Sequence, residues 1–107
     1  MIRGTTPTFT LNMVDEALNL TQAANVYATF RQRNNVITKT DLDINVTQEE
    51  GKYHNTVLVY LTQEETLGFV AGSLDIQLNW TYADGSRACS NIVTIAVNNN
   101  LEGRVLE

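Results

Sequence analysis

Apolar and polar residues alternate one for one along most of this chain, and that period of two leaves little choice of secondary structure. Side chains on a strand point alternately to opposite faces, so strict alternation marks strands with one buried face. Phe9, Leu11 and Met13 interleave with Thr8, Thr10 and Asn12, predicting a first strand directly after Pro7. Pro7 has no N–H donor, which suits a strand start or an edge. Residues 15–22 read as a connection with a helical turn, and residues 26–32 as a second strand with Val26, Ala28 and Phe30 inward. Asn34 and Asn35 predict a turn, because asparagine tolerates the left-handed backbone. Short strands follow at 36–40 and 42–47, then a polar loop at 48–55, then a strand at 56–61 with Val57, Val59 and Leu61 inward.

Thr62-Gln63-Glu64-Glu65 departs from this period and matches a capping box, in which the Thr62 side chain and Glu65 satisfy each other's backbone amides. Gly68 and Gly72 limit the helix to a turn or two, and Leu67 and Phe69 are expected to plug the core at that end. The last hairpin is the sharpest expectation. Leu74, Ile76, Leu78, Trp80 and Tyr82 share one face, and Asp84-Gly85 offers a two-residue turn. With Ala83 opposite Ser86, Ile76 pairs with Val93 and Leu74 with Ile95, so the apolar sets agree; a one-residue slip would turn them all outward. About seven short strands and one short helix near 62–68 imply an all-β, two-sheet antiparallel sandwich, immunoglobulin-like or jelly-roll-like. Residues 1–107 form one domain, with a short N-terminal arm (1–6) and an extended C-terminal tail (99–107).

Charge and cysteine usage exclude several classes. Twelve acidic against seven basic residues give a net charge of −5, whereas nucleic-acid binding needs clustered Lys and Arg. The longest apolar runs are a few residues, far short of the roughly 20 that span a membrane. Cys89 is the only cysteine, so neither an internal disulfide nor a two-cysteine metal clip is available, and in a strand it reads as a small buried hydrophobe. Residues 1–14 hold no long apolar stretch behind a charged start, so folding in a cytoplasm is expected.

Chemistry finds no foothold. His54 is the only histidine and falls in the predicted polar loop. Ser73, Ser86 and Ser90 lack a Gly-x-Ser-x-Gly elbow. Glu49-Glu50 reads as a solvated loop and Glu64-Glu65 as helix capping, not as a glycosidase pair. Asp41 and Asp43 would share a strand face, a weak basis for calcium. No catalytic, cofactor or metal residue is assigned, and the chain is read as a non-enzyme. Trp80 belongs to the core face. Tyr27 and Tyr60, pointing outward, suit protein contact.

The segments Ile2-Arg3-Gly4-Thr5-Thr6-Pro7-Thr8 and Val59-Tyr60-Leu61-Thr62-Gln63-Glu64-Glu65-Thr66, with the ending Asn100-Leu101-Glu102-Gly103-Arg104-Val105-Leu106-Glu107, resemble small tail and structural-module proteins of phages and prophages of Gram-positive bacteria. The resemblance follows the chain in order from end to end. It implies a virion part near the tail tip or baseplate, similar in architecture to the N-terminal sandwich of baseplate upper proteins. Other tail or baseplate proteins would be the partners, in a homo-oligomer or a symmetric hetero-assembly. The expected contact residues are Arg3 and Gly4 before the first strand and Leu101, Val105 and Leu106 after the last, beside Tyr27 and Tyr60. A terminal segment can extend a neighbour's sheet, and Arg3 can pair with a partner's carboxylate. The competing expectation is a carbohydrate-binding module for host-surface recognition, with Tyr27 or Tyr53 against the sugar.

Overall fold

The computed structural model describes all 107 residues, Met1–Glu107. In chain order the strands are β1 (Thr8–Asp15), β2 (Asn25–Gln32), β3 (Asn35–Lys39), β4 (Asp43–Glu49), β5 (Lys52–Tyr60), β6 (Gly72–Thr81), β7 (Arg87–Cys89) and β8 (Val93–Val97). One helix, α1 (Gln63–Leu67), lies between β5 and β6, and a single 3-10 turn (Leu20–Gln22) precedes β2. Every strand pairing is antiparallel. One sheet has the order β1-β5-β4; the other runs β3-β2-β6, with β7 and β8 sharing the far side of β6. The chain changes sheet after β1, after β3 and after β5. That is the B-E-D against C′-C-F-G order of an immunoglobulin-type sandwich without its first strand, and it removes the jelly-roll alternative.

The alternation does the packing. Phe30, Ala28, Leu74, Ile76, Leu78 and Trp80 of one sheet face Val57 and Val59 of the other, all buried. Phe9 and Phe30 meet across the gap with ring centroids 5.4 Å apart at 54°, a tilted geometry that aromatic quadrupoles favour. Each fully buried Val, Leu, Ile or Phe among them stabilises the fold by roughly 1.5–3 kcal/mol.

Helix α1 carries the chain from one sheet to the other and closes one end of the core. Its capping box forms as expected: Glu65 N donates to Thr62 Oγ1 at 3.2 Å, and Thr62 N donates to Glu65 Oε1 at 2.8 Å. Phe69 is the plug, with no exposed surface. Leu67, expected beside it, is only half-buried and packs under Gly4 instead.

Three turns differ from expectation, each for a backbone reason. The β2–β3 turn is Arg33-Asn34, with Arg33 at φ 55°; Asn35 already belongs to β3 and donates its side-chain amide to Gly68 O. The polar loop at 48–55 does not exist. Glu50 and Gly51 take φ 52° and 76° and join β4 to β5 as a two-residue hairpin turn, with Glu49 opposite Lys52. His54 therefore sits in a strand.

The third difference is in the last hairpin. Thr81 pairs with Arg87 and Tyr82 N donates to Ser86 O, so the loop is Ala83-Asp84-Gly85, with Gly85 at φ 88°. One residue too many for the expected turn, this shifts the register of β7. An extra residue between Cys89 and Val93 then restores it. Asn79 and Ile76 on β6 enclose Gln77 and Leu78, whereas their partners enclose Ser90, Asn91 and Ile92. This is a β-bulge. Beyond it Ile76 pairs with Val93 and Leu74 with Ile95, as the alternation required. Ala88, not Cys89, stands opposite Trp80, and Cys89 is exposed, contrary to the expected buried thiol.

Candidate functional site

The feature that distinguishes this sandwich is an edge closed at one end and open at the other. β1 ends its sheet, since β5 is its only partner. The facing sheet ends at β7 and β8. Between them lies a cleft of about 720 Å³, mostly apolar, with Leu11, Met13 and Leu18 on one side and Leu78, Trp80 and Val93 on the other. Phe9, Leu11 and Met13 point inward yet stay half-buried, because no strand beyond β1 covers them. Val93 is 49% exposed although it sits opposite the buried Ile76. The bulge at Ser90-Asn91-Ile92 forms part of the rim. Leu78 N, which loses a regular ladder partner there, donates to Ser90 Oγ at 3.0 Å.

The other end of the same edge is sealed by the N-terminal arm. Ile2 bridges Asn98 in parallel, Asn98 N donates to Met1 O at 2.8 Å, and Arg3 N donates to Asn98 O at 3.0 Å. Arg3 then turns its guanidinium inward, where Nη2 donates to Leu67 O at 2.8 Å and Nε donates to Phe69 O. The first is the last carbonyl of α1, where a cation is favoured, and the second lies just beyond the helix C-cap, Gly68. Gly4, at φ 79°, donates to the hydroxyl of the buried Thr66 at 2.9 Å, and that hydroxyl donates on to Thr5 O at 2.8 Å. Arg3 and Gly4, expected as contact residues, thus hold the arm to its own domain.

The tail lies at this sealed end. Leu101 is fully exposed, and Val105 and Leu106 are about half exposed. Gln63 ties the tail down: its side-chain amide donates to Leu106 O at 2.9 Å and accepts from Leu106 N at 2.8 Å. Asn100 Nδ2 donates to Arg3 O at 3.0 Å, linking tail to arm.

Tyr27 and Tyr60 are not brought together. Tyr27 is on the outer face of the β2–β6 sheet, half-buried; Tyr60 is on the outer face of the β1–β5–β4 sheet, where its hydroxyl donates to Asp43 Oδ2 at 3.0 Å. That bond to a carboxylate pushes the Tyr60 phenol pKa up. Asp41 falls before β4 and does not share a strand with Asp43. His54 stands between Val14 and Thr47 on the outer face.

The cleft escaped sequence reasoning. Cys89 shares the parity of Val93, Ile95 and Val97, so the alternation shows no break there, and only the pairing of Ala88 with Trp80 reveals the bulge. Compared with protein-family models, curated proteins and solved structures, the chain matches none of them.

Proposed function

We propose that this chain is a non-enzymatic structural domain of a phage tail tip or baseplate, acting through protein–protein contacts. The observation that carries the contact mode is the bare edge of β1 beside an apolar cleft. A bare edge offers unpaired backbone N–H and C=O groups, and natural proteins usually cover, charge or shorten such edges. The occupant that answers both the edge and the cleft is an extended segment, hydrogen-bonded to β1 and inserting alternate apolar side chains. The tail-module assignment itself is supported by the resemblance of residues 2–8, 59–66 and 100–107 to that group. The domain would be made in the host cytoplasm and carried in the virion tail, with copies or partners arranged in rotational symmetry.

Light scattering across a concentration series tests the reading, on the protein alone and with the products of neighbouring reading frames. A defined complex that Met13→Glu abolishes, with the fold intact by circular dichroism, is the expected outcome. A monomer at every concentration and with every neighbour, or a complex indifferent to Met13→Glu, would refute the edge as the contact.

A further inference from the structure

The outer face of the β2–β6 sheet holds a recess of about 370 Å³ bounded by Tyr27, Thr29, Thr38, Asn79, Thr81 and Arg87. Four adjacent strands supply these residues, with Thr38 beside Thr29, Asn79 beside Tyr27 and Arg87 beside Thr81. The recess therefore rests on paired backbone and not on a loop. Arg87 is oriented within it: Nε and Nη2 both donate to Asn79 Oδ1, at 3.2 and 3.0 Å. No carboxylate pairs with Arg87, although the chain carries net −5; the two ion pairs are Lys39–Glu65 and Arg104–Glu102. A guanidinium has five N–H donors in a fixed fork, so about three stay free for an anion, and such a fork suits carboxylate or phosphate.

The rest of the lining suggests what the anion is attached to. The Asn79 side-chain amide nitrogen and the Thr29 and Thr38 hydroxyls make no hydrogen bond within the chain, so they are available to hydroxyl groups of a ligand. Tyr27 is the one aromatic, half-buried and so held in place, a surface for the C–H face of a sugar ring. Protein hot spots cluster aromatic and Arg anchors in well-packed, desolvated pockets; here one tyrosine and one arginine stand among Thr and Asn side chains in a recess open to solvent. The volume lies at the small end of the ligand-site range, about 300–1,000 Å³. We infer that this recess binds an acidic sugar, a pyranose ring carrying a carboxylate or phosphate, with Arg87 on the anion and Tyr27 under the ring. The recess and the β1 cleft occupy different surfaces, so this site and the assembly reading stand or fall separately.

Amide chemical shifts of the whole chain, titrated to roughly 10 mM ligand to reach weak affinities, test the site. The probes are digalacturonate, lactose as its neutral counterpart, and inorganic phosphate. Digalacturonate is expected to move the amides of Tyr27, Thr29, Asn79 and Arg87, and to bind more tightly than either other probe. Arg87→Gln and Tyr27→Ala each raise its Kd about tenfold, the size of one lost charge-assisted or stacking contact. Arg31→Gln, on the same face outside the recess, leaves it unchanged. No shifts with any probe overturn the site; equal response to phosphate alone overturns the sugar; binding that survives Arg87→Gln overturns the anion's role.

Discussion

Gln63 and Leu106 exchange two hydrogen bonds, the side-chain amide of one pairing with both backbone groups of the other as a neighbouring strand would. This is the one double anchor of a tail whose side chains from Leu101 onward are all exposed. Gln63→Ala is expected to release residues 101–107 while lowering global stability by under about 1 kcal/mol, because both partners are solvated. Trypsin cleavage after Arg104 should accelerate, with the rest of the chain still protected; unchanged cleavage would mean that the tail is held elsewhere.

Asn55 is the most consequential polar residue in the interior. Buried in β5, it accepts from Leu20 N at 2.9 Å and donates to Leu18 O and Met13 O at 2.9 and 3.2 Å. Its side chain thereby replaces the backbone partners that the β1–β2 connection lacks. Asn55→Leu leaves the buried Leu20 N and the part-buried Leu18 and Met13 carbonyls without this partner and is expected to cost about 2–3 kcal/mol. Urea unfolding would register it as a lower midpoint at similar slope.

Cys89 reports on the bulge. With a two-residue turn it would stand opposite Trp80; with the observed loop it lies opposite Asn79, exposed. A thiol reagent should label native Cys89 at a rate near that of the urea-unfolded chain. Protection of many-fold in the native state would contradict the observed register.

Acid should act through Glu65. Burial opposes its charge, but hydrogen bonds from Thr62 and from Lys39, whose ammonium lies 3.0 Å away, outweigh that and hold the carboxyl below the usual glutamate value. A depressed folded-state pKa contributes stability that is present above the unfolded value, about 4.3, and is lost as pH falls through the folded one. The stability advantage of the native chain over Glu65→Gln should therefore shrink as pH drops below about 4.3. A constant difference down to strong acid would sink this account.

Glu50 occupies a left-handed conformation at φ 52°, exposed, at the tip of the β4–β5 hairpin. Asparagine is preferred there, ahead of a glycine. Glu50→Asn is expected to stabilise by roughly 0.5–1 kcal/mol, a rise in Tm of about 2–8 °C. A lower melting temperature by calorimetry would count against it.

The sandwich and its core were legible because one rule, alternation, governs them: Val57, Val59, Leu74, Ile76 and Leu78 are inward as read. The capping box was legible for a similar reason, since Thr62 and Glu65 interact locally. What could not be read was set by long-range pairing. Nothing near Arg3 announces that its side chain reaches Leu67 and Phe69. Nothing local to Leu11 or Met13 says that no further strand will cover them. Arg33 and Glu50 took left-handed positions because hairpin closure demanded it, against their own preference.

The bulge between β7 and β8 also makes the chain length negotiable at one place. Removing Asn91 would carry the β7 register straight into β8: Val93 would still meet Ile76, and Ile95 would still meet Leu74. The interrupted last strand would become continuous without moving any inward side chain. Elsewhere in these strands a single deletion reverses every face downstream. Variants of this domain shortened by one residue should therefore survive with the gap at positions 90–92, where the fold carries a spare link.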